Sequence, residues 1–299
     1  MWFKNLQIYR LPVKWAMTSE QLEEQISEQA FTSGSSQVMQ THGWAPPRED
    51  GALVYGLGGN LLLNLRTEKK LLPASVVNQV AKAKAQEIEE QQGFKPGRKQ
   101  MKEIKESVTE TLLPKAFSVQ RNTRAWIDTM NGWLVLDTPS PSKADEFLQL
   151  LNKSVERMPM ANLHVHVSPA TAMTEWLARD EAPANFTIDQ DTELRSSGEG
   201  RATVRYVRQS IEVDDVRRHI EAGKQVNRLA MTWADRISFV LTESLAIKRV
   251  APLDVIKENT SSTEANDEER FESDFTMMTG EIGRLLAELT KALGGETTA

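Results

Sequence analysis

Four groups of side chains in this 299-residue sequence have types and spacings that could do chemistry. His164 and His166 alternate along Leu163 to Val167, so a strand there sets both imidazoles on one face, where two nitrogens could meet a metal. Zinc sites need at least three protein ligands, and no third partner stands at a telling spacing, so an exposed strand edge without metal is expected. His42 and His219 stand alone, and His219 is expected to be solvated on a charged helix. Asp128 and Asp137 fall near the ends of adjacent predicted strands, as the carboxylates of a two-metal nuclease would. Strand ends also take aspartate for ordinary turn reasons, and no motif brings a further acid near, so the turn reading is preferred. The cluster Asp267-Glu268-Glu269 is expected to be a solvated loop. Gly56-Leu57-Gly58-Gly59-Asn60 lacks the spacing of a phosphate loop and lies between strands, which makes it a hairpin turn. No serine sits in a nucleophile elbow. The absence of cysteine excludes disulfides, thiolate metal sites and thiol nucleophiles, and it fits a reducing compartment. No catalytic constellation emerges, so neither enzymatic activity nor a cofactor is expected.

The two remaining groups are cationic. Lys95, Arg98, Lys99, Lys102 and Lys105 gather within a short stretch, and Arg201, Arg205 and Arg208 stand in Arg-Ala-Thr-Val-Arg-Tyr-Val-Arg with no acid among them. The first group reads equally well as a solvated helix tip. The second falls on a predicted strand, where Arg201 and Arg205 share a face and Arg208 points to the other unless a bulge intervenes. Guanidinium groups at this density suit phosphate oxygens, to which they donate paired hydrogen bonds. The net charge of −6 argues against nucleic acid, but its distribution does not. From Asp254 onward eleven acidic residues face four basic ones, a balance of −7, which leaves the rest at +1. Lys82 to Arg124 alone holds ten basic and six acidic side chains.

The elements that must carry these groups follow from periodicity. Trp2 to Leu11 reads as a strand, and Thr18 or Ser19 caps a helix through Ala30. Ala52 to Leu57 and Leu61 to Leu65 form a hairpin. A helix ending at Gln92 and a second from Arg98 to Leu113 flank Gly93-Phe94-Lys95-Pro96-Gly97, which makes an antiparallel helical hairpin with a narrow apolar stripe that projects as an arm. Ala125 to Asp128 and Gly132 to Asp137 form a second hairpin, and Ser142 to Arg157 a helix. Later come a short helix from Thr171 to Arg179, a strand from Ala202 to Ile211 and a helix from Val213 to Ala222. Strands Gln225 to Thr232 and Arg236 to Leu241, a connector to Glu269 and a closing helix from Phe271 to Leu293 complete the chain. The fold class is α+β with antiparallel sheets. Three parts are expected: a central body from 1–72 and 114–167, the arm at 73–113, and a C-terminal α+β region at 168–299. Lys4 and Arg10 interrupt any apolar core of a signal peptide, and no run reaches the ~18 apolar residues of a membrane helix, so a cytoplasmic protein is expected.

Read in order, several strings resemble one family. They include Met-Trp-Phe-Lys-Asn-Leu at the start, Gly43-Trp44-Ala45-Pro46-Pro47, Leu112-Leu113-Pro114-Lys115-Ala116-Phe117-Ser118 and Trp126-Ile127-Asp128-Thr129. His219-Ile220-Glu221-Ala222-Gly223-Lys224, Met278-Thr279-Gly280-Glu281 and Ala292-Leu293-Gly294-Gly295-Glu296 continue the series. Together they span nearly the whole chain and resemble the RdgC family of recombination-associated proteins. The resemblance implies a ring-shaped homodimer that encircles single- and double-stranded DNA without sequence preference, associates with the nucleoid and limits the access of RecA. It places Arg208 and Gln209 on the DNA-facing surface. It also makes Phe117 a candidate dimer contact, with an ordinary core aromatic as the equal alternative. The family varies at the arm turn, so roles for Arg98 and Lys99 transfer less directly. A protein-interaction scaffold and a nuclease built on Asp128 and Asp137 remain the competing classes.

Overall fold

The computed structural model describes residues 2–11, 15–48, 51–196, 202–208, 213–258 and 266–297. Strand β1 (Asn5–Arg10) is followed by helix α1 (Ser19–Ile26), whose N-cap Thr18 and Gln21 form a reciprocal capping box. Strands β2 (Gln40–Trp44), β3 (Val54–Leu57) and β4 (Asn60–Lys70) come next. Leu57 pairs with Asn60 across a two-residue turn in which Gly58 and Gly59 have φ of 57° and 80°. Both signs match the primed hairpin turn that suits strand twist, so the glycines there are conformational.

Helices α2 (Ala74–Gln92) and α3 (Arg98–Leu112) form the arm. Gly93, in the left-handed region at φ 81°, ends α2 by donating its N–H to Glu89 O. The arm buries only its own small cluster of Ala81, Ala85, Ile104 and Val108, so it stands off the body, and α2 runs roughly 28 Å at the usual helical rise.

After the arm, β5 (Ser118–Asp128) and β6 (Trp133–Asp137) lead to α4 (Pro141–Ser154), a short β7 (Ala161–Asn162) and α5 (Pro169–Arg179). Then follow β8 (Phe186–Ser196), β9 (Thr203–Tyr206), α6 (Val213–Glu221), β10 (Lys224–Trp233), β11 (Ile237–Thr242) and β12 (Ile247–Pro252). Helices α7 (Asp254–Glu258) and α8 (Asp267–Ala292) close the chain.

Among the described residues the strands make one twelve-stranded sheet, with order β2-β4-β5-β6-β1-β12-β11-β10-β8-β9 and with β3 and β7 pairing to β4 and β1. The fold is mixed helix and open antiparallel sheet, with the arm and the C-terminal α+β region as expected, but the sheet is continuous where separate sheets were expected. Its junction is the pairing of Asn5 with Lys248 and Leu6 with Ile247. One face is covered along much of its length by α5, α6 and α8, whose Met173, Val216, Phe275, Ile282 and Leu289 pack on Leu6, Trp126, Leu229 and Phe239. Among the described residues the other face is covered only in the N-terminal half, where Leu22, Ile26, Phe147 and Leu151 of α1 and α4 pack on Leu63, Ile127 and Leu136.

Several expected boundaries are corrected. Leu163 to Val167 forms no strand: Val165 makes an isolated bridge with Glu296, and His164 and His166 lie exposed beside the C-terminal tail. The expected connector after Leu241 contains β12 and α7. Asp267-Glu268-Glu269 is no loop but the first turn of α8, where Asn266 and Glu269 form a capping box and the acids complement the helix dipole. Strand β8 has no counterpart in the periodicity reading.

Candidate nucleic-acid interface

The uncovered half-face of the sheet is built by cross-strand register. Glu193 of β8 lies opposite Arg205 of β9 on one side and Arg228 of β10 on the other. Directly opposed residues share a face, and Leu194, Leu229 and Leu241 turn to the buried side, so these three point outward. Arg195, two residues along β8, joins them, and Lys248 enters from β12 opposite Val240. Arg249 has φ 55° at an irregularity of β12, and its Nη1 reaches Asp191 Oδ2 at 3.5 Å. Between these residues lies a cleft lined by Glu193, Arg205, Arg228, Lys248 and Arg249. It adjoins a shallower cleft of about 640 Å³ with Asp189, Asp191, Arg208 and Arg249 on its walls.

Arg205 and Arg208 therefore meet on one surface, though not by the expected geometry. The strand ends at Tyr206, and Arg208 follows it with φ 52°, its main-chain N–H donated to Asp191 Oδ1 at 2.9 Å. The left-handed turn, not strand alternation, sets its direction. Arg201 and Gln209 lie outside the described residues. Periodicity does not reveal β8 and marks β12 only as connector, so Arg195, Arg228, Lys248 and Arg249 are not visible as a group in the sequence. Arg-Val in Lys248-Arg249-Val250 between apolar neighbours was the available signal.

The face is not uniformly cationic. Glu193 Oε1 accepts from Asn227 Nδ2 at 2.6 Å and lies 3.5 Å from Arg195 Nη2 and 4.0 Å from Arg228 Nε. The amide of Asn227, helped by Arg228, Arg195 and Arg205, holds the Glu193 carboxyl below the usual glutamate range against the cost of its burial. Arg195 also donates to Glu243 at 3.2 Å.

Lys95, Arg98, Lys99, Lys102 and Lys105 are all exposed at the arm turn and along α3, Lys102 within 3.6 Å of Glu106. The structure does not bring them to the Arg205 group. The arm leaves the sheet from β4 and β5, and β9 lies seven strands beyond β5, roughly 34 Å away along the sheet at ordinary strand spacing. Phe117 is no core aromatic: it is 85% exposed at the arm's root, beside exposed Leu71 and Val119.

The nuclease candidates are otherwise employed. Asp128 Oδ1 accepts the N–H groups of Met130 and Asn131 at 2.9 and 2.8 Å, and its Oδ2 accepts from Asn131 Nδ2 at 2.8 Å, which builds the β5–β6 turn. Asp137 Oδ1 accepts from the N–H groups of Lys4 and Asn5, both at 2.9 Å, and anchors the start of β1. Asp128 lines a cleft of about 490 Å³ between α8 and two tight turns. Among the described residues no three or more His, Asp or Glu side chains are arranged to hold a metal, and no helix is long and apolar enough to cross a membrane.

A family model described as "Putative exonuclease, RdgC" matches residues 1–296. Similar proteins include the recombination-associated protein RdgC of Herminiimonas arsenicoxydans, 67% identical over 296 residues that cover 99% of both chains. That of Bordetella pertussis is 65% identical with the same coverage. That of Burkholderia cenocepacia is 62% identical over 99% of this chain and 96% of its own.

Proposed function

Because this chain belongs to the RdgC family, we propose that it binds single- and double-stranded DNA through backbone phosphates, as a ring-shaped homodimer that cleaves nothing and limits the access of RecA. The observation that carries this reading is the uncovered half-face of the sheet, where Arg195, Arg205, Arg208, Arg228, Lys248 and Arg249 are gathered from four strands and a turn. A sheet face with one half left without a helix needs a partner or a polar surface, and cations at this density favour a polyanion. No side chain pattern there reads base edges, so binding rests on counterion release and is blind to sequence. The acids concentrated after Asp254 keep DNA off other surfaces of the same protein. Lys95, Arg98, Lys99 and Lys102 on the arm supply a second, distant phosphate contact.

The exposed patch of Leu71, Phe117 and Val119 supports the homodimer, since an apolar surface at the root of an arm is otherwise an aggregation liability. Closure of two copies around DNA retains it kinetically, and recombinase filaments are then excluded by occupancy. Such a protein works in the cytoplasm on the nucleoid.

The test is titration of fluorescent random-sequence duplex and single-stranded DNA across a salt series in EDTA, with a parallel magnesium sample checked for intact product. Binding whose log affinity falls linearly with log salt, on uncut DNA, is expected. Loss of DNA only in magnesium would install the nuclease reading that the family model's description favours. No binding at low salt would leave the scaffold reading.

A further inference from the structure

The half-face that carries the cations also carries a buried acid at its centre, beside the β10 bulge at Asn227. Glu193 is 9% exposed, caps no helix and closes no turn. Its partner Asn227 is 3% exposed and leaves its own Oδ1 without a hydrogen-bond partner. Burying an ionised carboxylate and an orphaned carbonyl oxygen is costly, and an apolar cross-strand pair would be cheaper at this position. The arrangement repeats two residues earlier, where Asp191 lies between the Arg208 main chain and Arg249. Glu193 thus sits between cations on either side of β8, whereas Asp191 accepts a main-chain N–H on one side and faces a guanidinium on the other.

Resting on the DNA-binding reading of this face, we propose that Glu193 is an internal counter-charge that draws Arg195 and Arg228 down onto the sheet and so weakens and loosens the grip on DNA. A phosphate that approaches Arg228 competes with Glu193 Oε1, 4.0 Å from the guanidinium Nε, so part of every phosphate contact is spent in displacing the carboxylate. When the phosphate leaves, the arginine has a partner waiting, which lowers the barrier to stepping along the backbone. The outcome is a face attractive enough to hold DNA and shallow enough to let it move. For a protein that closes around DNA, retention comes from closure, so strong individual contacts would only hinder movement.

The test compares wild type with Glu193→Gln, which removes the charge while its carbonyl can still accept from Asn227, and with Glu193→Thr, a strand former that serves if the glutamine variant does not fold. Equilibrium binding and dissociation of random-sequence duplex are followed from 50 to 200 mM salt. With one more phosphate neutralised, the log–log salt slope steepens by about 0.9, so the affinity ratio across that range grows about 3.5-fold. Tighter binding by about threefold or more at 50 mM and slower dissociation are expected. In an Arg195→Ala/Arg228→Ala background most of that gain disappears, because both restrained cations are gone. A folded charge-removing variant that binds as wild type does, or more weakly, overturns the proposal while leaving the DNA-binding reading intact. Absence of binding by wild type overturns both.

Discussion

Arg236, at the turn between β10 and β11, clasps Glu281 of α8 with two parallel hydrogen bonds, Nε to Oε2 at 2.9 Å and Nη2 to Oε1 at 2.6 Å. The carboxylate side chain is 3% exposed, and Arg284 one turn along α8 donates to Oε1 as well. This pair fastens the long C-terminal helix to the C-terminal half of the sheet it covers. Glu281→Ala leaves Arg236 in a partly enclosed site without its partner, and because that side chain is still 31% exposed the loss should sit at or below the low end of the usual 3–5 kcal/mol for a broken buried pair. Urea unfolding measures it, and a change under about 1 kcal/mol would show that the clasp is not what holds α8.

The acid limb of stability should report Glu193. Its folded pKa lies below the ordinary 4.5, so the unfolded chain takes up the proton first as pH falls. The stabilisation is therefore complete above about that ordinary value and is lost as pH drops through the folded one. Unfolding free energies of wild type and Glu193→Gln should converge toward acid pH and differ most above it. Parallel curves from pH 3 to 6 would contradict this.

Truncating single cations on the uncovered half-face should weaken DNA binding nearly equally for all sequences. Arg205→Ala reduces the magnitude of the log–log salt slope by roughly 1, and Arg228→Ala by less while Glu193 restrains that cation, neither changing thermal stability by more than a degree or two. A base-dependent loss in a panel of duplexes would argue for direct readout on this face instead.

Phe117 is exposed in one copy, so Phe117→Ser should alter monomer stability by no more than about 0.5 kcal/mol. If the residue joins two copies, sedimentation will show dissociation at concentrations where wild type is dimeric. An unchanged oligomer, or a marked fall in monomer stability, would remove the dimer role.

Asp128→Ala takes away the acceptor for two main-chain N–H groups of a tight turn, and a loss of about 1–2 kcal/mol is expected from comparable caps. The same variant should leave DNA binding in EDTA unchanged. Abolition of a magnesium-dependent cleavage activity, with stability intact, would instead mark the residue as a metal ligand.

Local signals in the sequence reached as far as local interactions do. The Gly58-Gly59 hairpin, the arm with its Gly93 stop, the α6 helix and the apolar stripe of α8 depend on neighbours within a few residues, and each is visible as turn chemistry or as period 3.6. Strand β8 was hidden because Asp189, Asp191 and Glu193 break its apolar run and bulges interrupt its register with β10. The outer half of β5, Ser118 to Thr123, was hidden because its polar side chains face solvent on a ribbon that needs only β4 to exist.

The sequence by itself therefore determined the class of fold, the projecting arm and the segregation of charge, since all of these are properties of short stretches or of composition. Only the tertiary structure decided which cations stand together. Arg228 and Arg205 become neighbours of Glu193 through strand pairing, and pairing partners are chosen by the packing of Leu194, Leu229 and Leu241 on the far side of the sheet. One residue of slippage would turn every such side chain to the other face, so no reading of β8 or β10 alone could place them.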